Sequence, residues 1–332
     1  MHLHCPRGIF SFLIIWLPLC FFASPPALAH HGPGTTGGAL STETGETLNP
    51  GAFSLGLSWT YTQFESLTNR EILRRTSRVG GDDPDFDAIR WSLLQSAELS
   101  YGVFEDFQLS ASLGWYRGED VREGHFNDLG QPEIAEAGSV SGMTDMWLGA
   151  KYRVLKGPHG HWALFGGVKL PLGRDDVRSD GGTERLEPSL QPGSGAFDFL
   201  FGTAYSVWLT TQLTLDTSAQ YTLRTENDNF KIGDRVEGGV ALAYRLIEDL
   251  ATYPQPSLFV EANVVHLFEN EQNGEKTRNS GGSYIFLAPG IRLGISQHVS
   301  FSVSPRFPAL QALNGEQQET LFKVVAALTF SL

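Results

Sequence analysis

The 332-residue chain has almost no sulfur to work with. Its two cysteines, Cys5 and Cys20, both fall near the start. Beyond them there is no disulfide, no thiolate metal ligand and no cysteine nucleophile. Long hydrophobic runs are also missing: after Ala23 no stretch is apolar enough to cross a bilayer as a helix. Positive charge is scarce, with 24 Lys and Arg against 37 Asp and Glu and a formal net charge of −13. That balance excludes nucleic acid as a partner. The chain also lacks the catalytic signatures G-x-S-x-G and H-E-x-x-H and any phosphate-binding loop.

The first 29 residues read as a secretory signal. Arg7 precedes an apolar run from Ile9 to Ala23, broken by Pro18, and Ala27-Leu28-Ala29 supplies an A-x-A cleavage pattern. Leu19 before Cys20 is too large for a lipoprotein site. The mature chain is then expected to start at His30 and to hold no cysteine. Residues 30–52 are rich in Gly and Thr and read either as a flexible periplasmic arm or as a segment folded into a lumen. His30 and His31, with the free amine, are weak candidates for a metal site. Nothing else in the chain asks for a metal or a cofactor.

What is present is alternation. Leu332, Phe330, Leu328, Ala326, Val324 and Phe322 form one apolar face of the last stretch, against Ser331, Thr329, Ala327, Val325 and Lys323. Phe53 to Thr62 repeats the pattern with Phe53, Leu55, Leu57, Trp59 and Tyr61, and Phe107 to Tyr116 shows it most cleanly. Twelve such segments of roughly ten residues are expected, the length that crosses a bilayer when tilted. The connections alternate long and short, with long loops at Arg117 to Gly142, Gly173 to Gly195 and Pro308 to Thr320 among others. The fold class is therefore all-β: a transmembrane antiparallel up-and-down β-barrel of about 12 strands, of the outer-membrane type, over residues 53–332. A mean hydropathy of −0.14 does not argue otherwise, because a barrel spreads its apolar residues over one face. Phe330 and Leu332 are expected to close the barrel beside Phe53 to Thr62, and the terminal strand resembles the signal read by barrel assembly machinery.

Two further patterns agree. Trp59, Tyr61, Trp91 and Trp115 fall near the outer strand ends, while Tyr101, Phe107, Tyr152, Trp162 and Tyr205 fall near the inner ends, as two interfacial belts. Strand charges fall on the inward phase, where they avoid lipid; an Arg or Lys facing lipid at the midplane costs about 2–4 kcal/mol. The long loops carry 25 acids against 12 bases, and the inward wall ten bases against six acids. Arg292, Arg306 and Lys323 read as a basic stripe, with Lys151, Arg153 and Lys169 as further lumen-lining bases. Trp147, Phe165, Tyr284 and Phe286 share the inward phase and give the lumen an aromatic component. Those charges serve either as wall-bracing salt bridges or as the lining of a water-filled path.

An enzyme needs a nucleophile, a base and an orienting group together. His159 and His161 sit in a short turn without a third ligand. His266 lies on the outward phase with no serine motif beside it, so no catalytic residue is assigned.

Ser141-Gly142-Met143-Thr144-Asp145-Met146-Trp147-Leu148-Gly149-Ala150-Lys151-Tyr152-Arg153, followed by Gly167-Val168-Lys169-Leu170-Pro171-Leu172-Gly173, resembles the outer-membrane transporter family named for the meta-pathway of phenol degradation. The resemblance implies a channel or transporter, not an enzyme, in the outer membrane of a Gram-negative envelope. Its expected partners are outer-membrane lipid and a small-molecule solute, aromatic or hydrophobic by preference. The alternatives are a general or anion-leaning diffusion porin, and a non-transport barrel that is enzymatic or structural.

Overall fold

A computed structural model describes residues 40–79, 86–127, 129–158, 160–179 and 185–332. The leader, His30, His31 and His159 lie outside them. In chain order the elements are β1 (Phe53–Phe64), α1 (Asn69–Thr76), β2 (Phe86–Ala88), β3 (Trp91–Phe104), β4 (Phe107–Phe126), β5 (Pro132–Met143) and β6 (Met146–Gly157). They continue with β7 (Gly160–Leu170), β8 (Asp198–Trp208), β9 (Leu213–Arg224), β10 (Phe230–Lys231), β11 (Arg235–Arg245) and β12 (Gln255–Leu267). The last are β13 (Glu271–Gln272), β14 (Glu275–Lys276), β15 (Gly282–Gly294), β16 (Val299–Leu313) and β17 (Thr320–Ser331).

Twelve of these strands form a closed antiparallel wall in the order β1, β3, β4, β6, β7, β8, β9, β11, β12, β15, β16, β17. Closure joins the first to the last: Ser54 pairs with Ser331, and the register runs on to Phe64 opposite Thr320. The polarity is inside out relative to a water-soluble domain. Leu99, Phe201 and Trp115 are 50%, 59% and 52% exposed on the outer face. Inward neighbours such as Ser54, Lys151, Asp198, Asp216 and Glu261 are buried. Alternation with the greasy phase outward is what a lipid-facing barrel requires. Ring contacts mark both rims, with Phe53 on Tyr101 at 4.5 Å and Tyr61 near Trp91 at 5.9 Å. Among the described residues no helix is long and apolar enough to cross a membrane.

The structure departs from the sequence reading outside the bilayer. The acidic stretch Arg117 to Gly142 is not a loop. β4, 20 residues long in all, runs on into it as far as Phe126, and its upper half pairs with β5 from Trp115–Met143 to Phe126–Pro132. β5 and β6 together make one descending run beside β4, interrupted at Thr144-Asp145. That hairpin packs against α1 and the loop after β7 through Ile134, Val121 and Val140, and the register shifts at Val121 break its alternation. Likewise β16 extends to Leu313, into the segment expected to be a loop. α1 falls in a stretch expected as a polar loop and opens on a complete capping box: Thr68 accepts from the Glu71 amide while the Glu71 carboxylate accepts from the Thr68 amide. The helix packs with Leu67, Val79, Phe86 and Ala88 in one buried apolar cluster. A second cluster joins Val121, Val140, Val177, Leu186 and Leu190. These two small cores tie the outer loops into a packed cap on one side of the mouth.

Candidate functional site

The interior is not an open tube, because residues 40–48 lie inside it. Ser41 and Thr42 each donate a backbone N–H to Glu261 Oε1 at 2.9 Å on β12. Glu43 N–H donates to Ser218 Oγ at 3.2 Å on β9, Gly45 N–H to Ser206 Oγ at 2.8 Å on β8, and Leu48 N–H to Gln108 Oε1 at 2.9 Å on β4. The arm thus hugs the wall from β12 round to β4. Gly45 is required there: a Cβ would sit 2.0 Å from the His161 carbonyl oxygen. The bonds run from arm backbone to wall side chains, so the arm adds no strand.

Lys151 on β6 is the main tether. Its ammonium lies 2.7 Å from Glu43 Oε2, donates to the Thr44 carbonyl at 3.2 Å and stands 5.9 Å from the Phe165 ring. The Lys151 charge holds the Glu43 carboxyl below its ordinary value of 4.5. A depressed native value means the tether is complete above the ordinary one and is lost as pH falls through the native one. Channel conductance in planar bilayers is therefore expected to step up once acidification has passed below that ordinary value. An E43Q channel should show the high level at every pH; a flat wild-type titration would count against the tether.

Between the arm and the wall a cavity of about 410 Å³ remains. Glu43, Glu98, Lys151, Gln108 and Gln220 give it a polar side, and Trp147, Phe165 and Leu200 an apolar one. The space is thus amphipathic and of small-molecule size.

The other expected lumen residues are mostly engaged with each other. Lys169 on β7 lies 2.5 Å from Asp198 and 3.2 Å from Asp145, and donates to Ser194 Oγ. All three charges are buried, and Asp145 also accepts the Gly173 and Ser194 amides, which fastens the loop after β7 to the wall. Arg153 pairs with Asp106 at 2.5 Å at the inner rim. The expected basic stripe does not run as one line. Arg306 and Lys323 face each other across β16 and β17, but Arg292 sits lower, opposite Ser302. Arg306 pairs with Glu261 at 3.3 Å, Arg292 donates through Nε to Ser302 Oγ at 3.0 Å, and Lys323 stands 4.9 Å over the Phe286 ring. Tyr284 stacks on Phe286 at 5.7 Å with planes 8° apart. Phe330 and Leu332 are exposed on the outer face of the closing strand.

Reading motifs missed one neighbour. His266 Nδ1 lies 2.9 Å from Ser283 Oγ on the adjacent strand, facing outward beside Phe268. Only the cross-strand register brings the two together. Among the described residues no third group orients the ring, so the pair is an interfacial hydrogen bond and not a catalytic triad. No metal-binding cluster of His, Cys, Asp or Glu occurs among the described residues.

Fold and interior together define an outer-membrane-type β-barrel with a partly filled bore. The chain belongs to the family described as "Putative MetA-pathway of phenol degradation", whose model matches residues 117–307. A crystal structure of an outer membrane channel from Pseudomonas putida is similar over 86% of this chain and 97% of its own, with 17% identity and a TM-score of 0.57, which shows a shared fold. A NanC porin structure aligns over 84% of this chain and 100% of its own, at 8% identity and a TM-score of 0.44. LpxR from Salmonella typhimurium aligns over 83% and 99%, at 13% identity and a TM-score of 0.41. No curated protein matches the chain.

Proposed function

We propose that this protein passes small solutes across the outer membrane and that small aromatic or hydrophobic compounds are its preferred cargo. The cavity between the arm and the wall carries this reading. Its Trp147, Phe165 and Leu200 side receives an apolar ring, while Glu43, Glu98 and Lys151 receive a polar substituent. A phenol-like molecule presents those two faces, and the family's description names phenol degradation. Arg153 and Lys169 act as wall braces, while Tyr284 and Phe286 line the approach. Residues 1–29 direct export and are cleaved off, and assembly in the outer membrane follows recognition of the closing strand by the barrel assembly machinery.

The rival reading, an anion-leaning pore, drew on the basic stripe. Glu261 and Asp216 flank Arg306 and Arg292, so much of that charge is answered within the wall. Proteoliposome swelling should separate the readings. Purified protein is expected to admit a neutral phenol faster than a sugar or an aliphatic carboxylate of the same size. Equal rates for all three would replace the proposal with a general pore, and no flux of any of them would end both.

A further inference from the structure

The wall carries more positive charge near its outer end than it answers. Four bases point into the bore there: Arg224 on β9, Arg235 on β11, Arg306 on β16 and Lys323 on β17. Arg306 and Lys323 face each other across one register position. Arg235 stands opposite Thr222, whose next inward neighbour on β9 is Arg224. Two acids stand among the four. Glu261 takes Arg306 at 3.3 Å, and Glu237 takes Arg235 and the Gln220 amide. The nearby aspartates are already engaged, Asp198 with Lys169 at 2.5 Å and Asp234 with Lys231 at 3.4 Å.

Two cations are left over. Lys323 makes no ion pair or hydrogen bond among the described residues, and its ammonium rests 4.9 Å over the Phe286 ring. The Arg224 side chain makes none among them either, and its Nε is buried. Lys323 lies in the field of Arg306 beside it and of Arg235 and Glu237 on β11. Arg224 lies in the field of the same Arg235 and Glu237. The four bases therefore border one space, with β9 and β11 on one bank and β16 and β17 on the other. Holding an unpaired cation away from water is costly. Charged groups inside a membrane protein mark the path of an ion or a polar solute.

Between the two basic banks runs an apolar strip. Val265 on β12 pairs with Tyr284 on β15, Phe286 is the next inward residue, and the Tyr284 and Phe286 rings are stacked. The Tyr284 hydroxyl has no partner among the described residues. Charge and strip together sort ligands. A cation is repelled, an inorganic anion leaves the strip uncovered, and a neutral ring leaves two cations unanswered. A flat molecule with a carboxylate at one end satisfies both, and a guanidinium fork matches a carboxylate's two oxygens.

We propose that this space is an anion subsite at the outer end of the bore and that it takes the carboxylate of a small aromatic acid, with Lys323 and Arg224 as charge partners and the Tyr284–Phe286 strip under the ring. The proposal rests on the channel reading above and narrows the cargo. Glu261 joins the subsite to the arm: its Oε2 faces Arg306, while its Oε1 accepts the Ser41 and Thr42 amides. The captured acid thus sits next to the arm's first anchor.

The test is block of ion current by benzoate. In planar bilayers bathed in sodium chloride, benzoate is expected to block the wild-type current at a several-fold lower concentration than acetate or inorganic phosphate. K323Q/R224Q should raise its half-blocking concentration about tenfold, the worth of one charge-assisted hydrogen bond. K323R, which keeps the charge, should stay near wild type. Heat-modifiable migration checks that each variant is a closed barrel, and K323Q alone carries the test if the double variant fails to close. Equal block of wild type and K323Q by benzoate overturns the subsite. Acetate or phosphate blocking as well as benzoate overturns the aromatic acid as its ligand. In both cases the protein still conducts and the channel reading stands. A wild-type protein that carries no current in any salt ends both.

Discussion

Deleting Phe330, Ser331 and Leu332 should abolish barrel assembly. These residues hold the inner end of the closing seam. Phe53 and Leu332 exchange two backbone bonds at 2.9 Å, and Ser331 N–H donates to the His298 carbonyl at 2.8 Å. Phe330 pairs with Leu55 on one side and Val299 on the other. Removing the three leaves facing groups on both β1 and β16 without partners at the membrane rim. In lipid each unsatisfied backbone group costs several kcal/mol, and a barrel is viable only because it has no edge. Outer-membrane levels of the truncated protein, and its migration on gels before and after boiling, read the outcome. The expectation is a near-total loss of the heat-modifiable form. Normal levels of that form would refute it.

The second large effect concerns the arm. Deleting residues 40–48 with the leader and residues 49–52 kept should raise single-channel conductance several-fold. The deleted stretch removes five backbone donors from the wall and frees Lys151, Gln108 and Glu261. The wall does not depend on it, because every wall strand pairs with two others without its help. Heat-modifiable migration should therefore stay normal while conductance rises and the acid step tied to Glu43 disappears. Unchanged conductance would mean that the arm does not limit flow.

Legibility in the sequence followed the bilayer. All twelve wall strands carry alternation because lipid demands one apolar face along each. Their phase told which side Lys151, Lys169 and Phe286 would take. Beyond the bilayer that demand stops. The upper part of β4, with Arg117, Glu119, Arg122 and Glu123, places charge on both faces and reads as loop. Partners were the other blind spot. Lys169 meets Asp198 from the neighbouring strand, Asp145 from the break between β5 and β6 and Ser194 from a loop, and nothing in their spacing along the chain joins them. Lys323 was visible as inward, but its seat over Phe286 needed the register.

The arm's mode of attachment carries a last consequence. It is held by side-chain acceptors on a wall that is complete without it, and it stays joined to β1 through only a few residues. In binding terms it is a ligand on a short leash. Its effective concentration at its own site is of millimolar order however dilute the protein. A solute that displaces it does not compete with a stoichiometric partner that can diffuse away. It competes with one that returns as soon as the solute has gone, so the bore resets itself after each passage without any input of energy.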